Sequence, residues 1–130
     1  MILVDTSVWI EFLQAGGVTE QVKTRLERAE LATHPFVRGE LALGQLGKRR
    51  ADFLRGIDAL PLIEVAPHDV VLGMAEGHAL GASGVGWVDV HLLAACVGSG
   101  ARLWTLDRPL RLAALRIRKA EILEFRRRRR

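Results

Sequence analysis

Residues 1–10 read MILVDTSVWI, and the aspartate at position 5 organises our interpretation of the whole sequence. The apolar run at residues 2–4 is typical of a strand that is buried on both faces, as strands of parallel sheets are. Residues 7–13 then carry apolar side chains at helical spacing. Asp5 therefore stands one residue past the carboxyl end of a buried strand. A charged group is unfavourable there unless it has a structural or functional role.

The rest of the chain repeats this alternation of short apolar runs and amphipathic segments. Extended segments are predicted at residues 31–34, 62–65 and 102–106, with a last edge strand at 121–125. Helices are predicted at residues 7–13, 20–30, 36–46, 48–60, 68–80 and 87–97, and another opens at Pro109. Strands that alternate with helices of this length indicate an α/β fold, a mainly parallel sheet layered between helices.

Length and composition point to one globular domain. The chain has 130 residues, of which 49% are hydrophobic and 26% charged. No apolar run approaches the roughly 20 residues of a membrane span, and the N-terminus lacks the features of a signal peptide, so we expect no membrane partner. The single cysteine, Cys96, lies in an apolar segment and excludes a disulfide or a cysteine-based zinc site. We therefore expect a cytoplasmic protein.

The positive net charge comes from the C-terminal end. The chain contains 19 basic and 15 acidic residues, but five of the basic ones are the arginines at 126–130. We expect a folded domain at residues 1–125 and a disordered basic tail at 126–130, which either keeps the protein in solution or attracts phosphate groups.

Four carboxylates occupy positions that solvent-exposed charges rarely take. Asp5 and Asp107 each follow the carboxyl end of a predicted strand, where the ligand crevice of a parallel sheet lies. Glu40 stands beside the apolar stripe of its helix, and Asp89 begins an almost wholly apolar one. Each has a structural alternative: helix capping for Asp5 and Asp107, extension to solvent for Glu40, and the helix dipole for Asp89.

Taken together, the four acids predict a metal site. No lysine or arginine occurs between Arg55 and Arg102, so converging carboxylates would need a cation to compensate them. Oxygen ligands select a hard ion, Mg²⁺ or Mn²⁺ as its substitute. The hydroxyls of Thr6, Ser7 and Thr105 are expected to orient carboxylates or waters around it. Such a site suits the attack of water on a phosphodiester.

Four blocks of the sequence resemble the PIN-domain ribonucleases, and most closely the VapC-type toxins of toxin–antitoxin pairs. They are MILVDTSVWIEF, VRGELALG, GWVDVHLLAA and LWTLDRPL, in this order and spacing. The motif's acids fall on Asp5, Glu40, Asp89 and Asp107, and its frequent hydroxyl falls on Thr105. The residues after the fourth acid, RPL, and the arginine tail depart from the family pattern.

The resemblance implies a PIN-like three-layer fold with a five-stranded, mainly parallel sheet. It also implies a Mg²⁺-dependent endoribonuclease that cuts RNA as a toxin, forms a homodimer and is blocked by a small antitoxin protein. The four acids would be its catalytic and metal-binding residues. We expect apolar residues of the helices at 8–13 and 37–46 to contribute the partner surface.

Other functions remain open at this point. A PIN-type nuclease of RNA processing would share every motif, and a non-catalytic partner-binding domain would share the fold. A phosphoacceptor signalling domain needs an acidic pair after the first strand, and a dehalogenase-like phosphatase needs an aspartate where Ser7 stands. Trp9 and Trp87 could stack on an RNA base, but tryptophans near buried segments lie in the core more often, so both are predicted to be core residues. His91 is predicted to be structural.

Overall fold

A parallel sheet forms the centre of the computed structural model, which describes residues 1–121. Strand β1 (Ile2–Val4) lies between β2 (Leu31–Ala32) and β3 (Arg102–Trp104). Both neighbours run parallel to β1, with Leu3 aligned to Leu103 on one side. The middle strand is fully buried, as its apolar sequence predicted, because neighbours and helices cover all of its surfaces.

Two single parallel bridges continue the sheet on both sides. Thr33 pairs with Leu62 beyond β2, and Leu103 pairs with Ala120 beyond β3. The α/β class with a parallel sheet is confirmed, although the outer two of the five segments contribute only one pair each. The prediction of a strand at 62–65 is wrong. The chain after Thr33 enters a helix at once, so residues 63–65 have no neighbouring strand to pair with.

Within residues 1–121, seven helices surround the sheet. They are α1 (Thr6–Leu13), α2 (Thr19–Glu27), α3 (Pro35–Leu43), α4 (Arg50–Asp58), α5 (His68–Gly77), α6 (Trp87–Ser99) and α7 (Arg108–Arg116). Two single turns of 3₁₀ helix occur at Gly47–Arg49 and Leu80–Ala82. Helices α2 and α5 end earlier than predicted, because Ala29 and Ala79 adopt left-handed backbone conformations, with φ of 55° and 51°.

One apolar core unites sheet and helices. Residues 90–96 of α6 are all buried, which explains why this helix has no polar face in the sequence. Trp9 lies in the core as predicted, with its ring edge-to-face against Phe12 and Phe53. Cys96 is a free, buried thiol, and burial raises its pKa to about 12, so it behaves as a small apolar residue.

The described part of the chain covers most of the predicted domain. None of its helices combines the length and apolar character needed to cross a membrane. The predicted arginine tail at 126–130, the domain boundary at 125 and residues 122–125 of the predicted edge strand lie outside the described residues.

Candidate functional site

Asp5 is held in place by two hydroxyl groups. Asp5 lies at the carboxyl end of β1 and is only 6% exposed. Its Oδ2 accepts hydrogen bonds from Ser7 Oγ at 2.8 Å and Thr105 Oγ1 at 2.7 Å. Asp5 occupies the N-cap position of α1, yet its side chain makes no capping bond. The capping alternative is therefore wrong for Asp5, whose Oδ1 accepts no hydrogen bond from residues 1–121.

The same two hydroxyls connect Asp5 to the loop that leaves β3. Ser7 Oγ accepts from the Leu106 N–H at 3.0 Å, and Thr105 Oγ1 accepts from the Asp107 N–H at 3.0 Å. A hydroxyl has one proton to donate, and both protons are directed to Asp5. The 3.3 Å approach of the two oxygens is thus a contact within a fixed network. Ser7 and Thr105 orient the Asp5 carboxylate through these hydrogen bonds.

Asp107 and Asp89 do act as helix caps, each through one oxygen. Asp107 Oδ2 accepts from the Leu110 N–H at 3.1 Å at the start of α7. Asp89 Oδ2 accepts from the Gly86 N–H at 3.0 Å at the start of α6. Capping fixes both side chains, while the second oxygen of each accepts no hydrogen bond from the described residues. Structural and ligand-binding roles are therefore compatible in these two residues.

Glu40 is placed differently from the prediction. Val37 and Leu41 form the buried stripe of α3, but Glu40 is exposed at its edge. Its Oε1 accepts a hydrogen bond from Thr6 Oγ1 at 2.8 Å, which ties the side chain to the first turn of α1. Glu40 remains exposed although this bond joins α3 to α1. Thr6 thus orients Glu40, not Asp5.

The four carboxylates act on one another electrostatically. The pKa of Asp89 is raised, first by burial and then by repulsion from Asp5, Asp107 and Glu40, while the Gly86 N–H opposes the rise. Ion pairs among residues 1–121 all involve other acids. We call this group of Asp5, Glu40, Asp89 and Asp107 the acidic crevice. The structure brings all four predicted residues to the carboxyl end of the sheet without a protein cation to neutralise them.

The donor set fits a hard divalent cation held partly through water. Only carboxylate and hydroxyl oxygens face the acidic crevice in the contacts described above. Within residues 1–121, however, no three acidic, histidine or cysteine side chains are close enough to hold one ion by themselves. Mg²⁺ usually keeps several waters and takes one or two carboxylates directly, so this spacing is suited to it.

Sequence reasoning missed an array of five rings beside the crevice. His34, Phe36, His91, Trp87 and His68 contact one another in series, with ring centroids 4.7 to 5.4 Å apart. His34 caps α3 by accepting from the Phe36 N–H at 3.0 Å, a role that the following Pro35 signals. Trp87 is 42% exposed, so the prediction that it lies in the core is wrong.

Comparison with known proteins identifies the family. A family model described as PIN domain matches residues 2–115. The chain belongs to the PIN-domain family. Ribonuclease VapC32 of Mycobacterium tuberculosis, from strains CDC 1551 and H37Rv, is 43% identical over 117 residues, which cover 87% of this chain and 90% of the relative. The predicted family of VapC-type PIN-domain ribonucleases is therefore confirmed.

A solved structure supports the fold. The crystal structure of PAE2754 from Pyrobaculum aerophilum superimposes with a TM-score of 0.57 at 23% identity, over 86% of this chain and 78% of that one. At this identity the likeness concerns the PIN fold alone. It agrees with a parallel sheet flanked by helices on both faces.

Proposed function

We propose that this PIN-domain protein is a Mg²⁺-dependent endoribonuclease whose catalytic and metal-binding residues are Asp5, Glu40, Asp89 and Asp107. The observation that carries the proposal is the acidic crevice: Asp89 is repelled by the other three carboxylates, and none of the four forms an ion pair with a cation among residues 1–121. Identity to a protein named as a ribonuclease supports RNA as the substrate.

The chain's own groups have separate tasks in this proposal. Ser7 and Thr105 fix Asp5 through Oδ2 and leave Oδ1 for the cation, and the caps of Asp89 and Asp107 leave one oxygen each. A bound divalent cation supplies Lewis-acid polarisation of the phosphodiester and of the attacking water. Water oxygen bonds to phosphorus as the bond from phosphorus to the 3′ oxygen breaks, giving a 5′-phosphate and a 3′-hydroxyl.

Product analysis with and without metal tests this chemistry. Purified protein should cut single-stranded RNA with Mg²⁺ or Mn²⁺ and stop in excess chelator, and the products should carry 5′-phosphates. Asp52→Asn serves as the matched control for Asp5→Asn, because Asp52 is an exposed acid paired with Arg55 on α4. Cleavage that persists in chelator, or a 2′,3′-cyclic end, would contradict the metal-dependent mechanism.

The proposed cellular role is that of a toxin paired with a small antitoxin protein. The partner surface predicted on the first and third helices needs correction, because Val8, Val37 and Leu41 are buried. Leu43 at the end of α3 is 90% exposed and remains available to a partner near Glu40. A neighbouring reading frame should encode a protein that co-purifies and suppresses cleavage. Harmless overexpression of the nuclease alone would remove the toxin role and leave the nuclease proposal standing.

A homodimer in the cytoplasm completes the proposal. A groove of about 630 Å³ lies between the segment after Pro61 and the end of α6, and its lining is mainly apolar. Leu62, Val70 and Val97 are exposed along it, which supports a second copy of the chain as its occupant. The free, buried Cys96 agrees with a reducing compartment.

A further inference from the structure

Trp87 is the most exposed aromatic ring beside the acidic crevice. It begins α6, directly after Gly86, whose N–H binds Asp89 Oδ2. Of the three tryptophans in the chain, Trp9 and Trp104 are each 2% exposed, whereas Trp87 is 42% exposed. Trp87 is therefore the tryptophan whose ring a ligand in solution can reach, and an indole offers such a ligand a large apolar surface.

The loop that carries Trp87 forms one wall of the crevice. Gly84, with φ of +83°, approaches Pro109 so closely that an added Cβ would lie 3.4 Å from the proline Cβ. Pro109 is in the first turn of α7, which Asp107 caps. The segment from Gly84 to Trp87 is therefore packed against the neighbour of one crevice carboxylate and hydrogen-bonded to another.

The orientation of the indole is fixed from behind by histidine rings. The ring of His91 stands perpendicular to it, with centroids 5.1 Å apart, and that of His68 is tilted by 52° at 5.4 Å. His91 is itself buried and in edge contact with Phe36 at 4.7 Å. Neither imidazole is stacked parallel to the indole, and Trp87 remains 42% exposed despite both contacts.

We propose that Trp87 is a stacking platform for an unpaired RNA base adjacent to the phosphate held at the acidic crevice. The proposal rests on the proposed ribonuclease function and adds a residue that holds one base of the substrate. Aromatic side chains stack on splayed bases in single strands, whereas paired bases in an A-form duplex present no free face. Trp87, a half-exposed residue at the start of α6 and two positions before Asp89, is suited to this requirement.

Tryptophan fluorescence provides a direct test, because only Trp87 of the three tryptophans is open to a ligand. Asp5→Asn protein keeps the RNA intact during the measurement. A short single-stranded RNA of mixed sequence should quench the fluorescence, and an abasic strand of equal length should quench it much less. The same titration of Trp87→Phe protein gives the signal of the two buried tryptophans and should show no quenching.

Affinity and kinetics complete the test. Trp87→Ala should weaken binding of single-stranded RNA about 5- to 100-fold, the range of base–aromatic stacking, and Trp87→Phe should retain most of the affinity. In active protein Trp87→Ala should raise KM with little change in kcat. Leu26→Ala, an exposed apolar change on α2, is the matched control and should bind RNA as the unmodified protein does.

Three results would overturn the proposal: equal quenching by RNA and abasic strands, unchanged affinity of Trp87→Ala protein, or quenching by a partner protein only. Because binding is measured without cleavage, it separates the two proposals. Base-dependent quenching with no Mg²⁺-dependent cleavage by the unmodified protein would defeat the nuclease and keep the platform. Mg²⁺-dependent cleavage without base-dependent quenching would defeat the platform and keep the nuclease.

Discussion

The two ends of the sheet treat buried acids in opposite ways. Near the amino end, Glu121 is 7% exposed and lies between two arginines, with Arg25 Nη2 at 2.9 Å and Arg102 Nη2 at 2.7 Å. The second contact is an ion pair without hydrogen-bond geometry. At the carboxyl end, Asp5 is buried to a similar degree, but its side chain accepts hydrogen bonds only from hydroxyl groups of the described residues. The other three carboxylates of the acidic crevice lie at the same end of the sheet.

The difference separates an acid that supports the fold from acids kept for a ligand. A buried carboxylate costs several kcal/mol unless a cation or several hydrogen bonds compensate it. The chain supplies that cation at Glu121, where Arg25 also lies over the Trp104 ring at 5.7 Å. It supplies none at the acidic crevice within residues 1–121, where the pKa of Asp89 is raised first by burial and then by repulsion from the other three carboxylates.

The largest effect we predict is the contrast between Asp5→Asn and Glu121→Gln. Asp5→Asn should lower the rate of RNA cleavage by on the order of 10³-fold or more, because it removes several kcal/mol of transition-state stabilisation. Glu121→Gln should leave the specific activity of folded protein unchanged. It should lower the free energy of unfolding by about 2 to 3 kcal/mol, less than a fully buried pair because Arg102 is largely solvated.

Cleavage assays and urea unfolding of both variants measure this contrast. Asp5→Asn protein should unfold at the same urea concentration as the unmodified protein or a higher one, because it keeps the acceptor for Ser7 and Thr105. If Glu121→Gln abolished cleavage while the protein stayed folded, the distinction between the two ends would be wrong.

The contrast also shows what the sequence revealed and what it concealed. The run ILVD predicted both the buried middle strand and the position of Asp5, because a fully apolar strand and its end are local features. The alternation of segments predicted the parallel sheet. The edge segments were mispredicted because pairing depends on the neighbouring strand: residues 63–65 have β-like composition, but β2 stops too early for them.

Exposure was harder to predict than proximity. Asp89 and Glu40 have similar apolar neighbours in sequence, yet Asp89 is half-buried and Glu40 is exposed. The same limit explains Trp87, whose apolar helix suggested the core although its first residue projects beyond it. The ion pairs of Glu121 join residues nearly 100 positions apart in one case, and no local pattern predicts such a partner.

A second prediction concerns His34, a buried base that avoids the cost of a buried charge because it stays neutral. It is fully buried, and burial, followed by the proximity of His91, lowers its pKa from 6.5 to about 4. The unfolded chain therefore binds a proton at a higher pH than the native protein does. Above pH 6.5 His34 is neutral in both states and does not lower the free energy of unfolding. As the pH approaches 4, protonation of His34 in the unfolded chain lowers the free energy of unfolding by about 3 kcal/mol.

Urea unfolding of unmodified and His34→Asn protein between pH 7 and pH 4 isolates this contribution. Asparagine keeps an acceptor for the Phe36 N–H and cannot titrate, so the variant should lose about 3 kcal/mol less over this range. Carboxylates contribute equally to both curves. Parallel curves would mean that His34 takes up its proton in the native protein as readily as in the unfolded chain, so that burial does not lower its pKa.

The smallest predicted effect is a gain in stability from Asp89→Asn in metal-free protein. The pKa of Asp89 is raised in the fold, so at neutral pH its charge favours the unfolded chain, and this penalty disappears as the pH falls below the ordinary value of 3.8. Asparagine removes the charge but still accepts from the Gly86 N–H. The variant should therefore melt higher at pH 7 and equally at acid pH, while cleavage is lost.

Mg²⁺ should raise the melting temperature of the unmodified protein more than that of the variant, because a ligand that binds only the native state stabilises it. Asp52→Asn should change little, since its exposed pair with Arg55 contributes little to stability. A loss of more than about 2 kcal/mol in Asp89→Asn would instead identify Asp89 as a structural cap, and the carboxyl end of the sheet would then differ less from the end that holds Glu121.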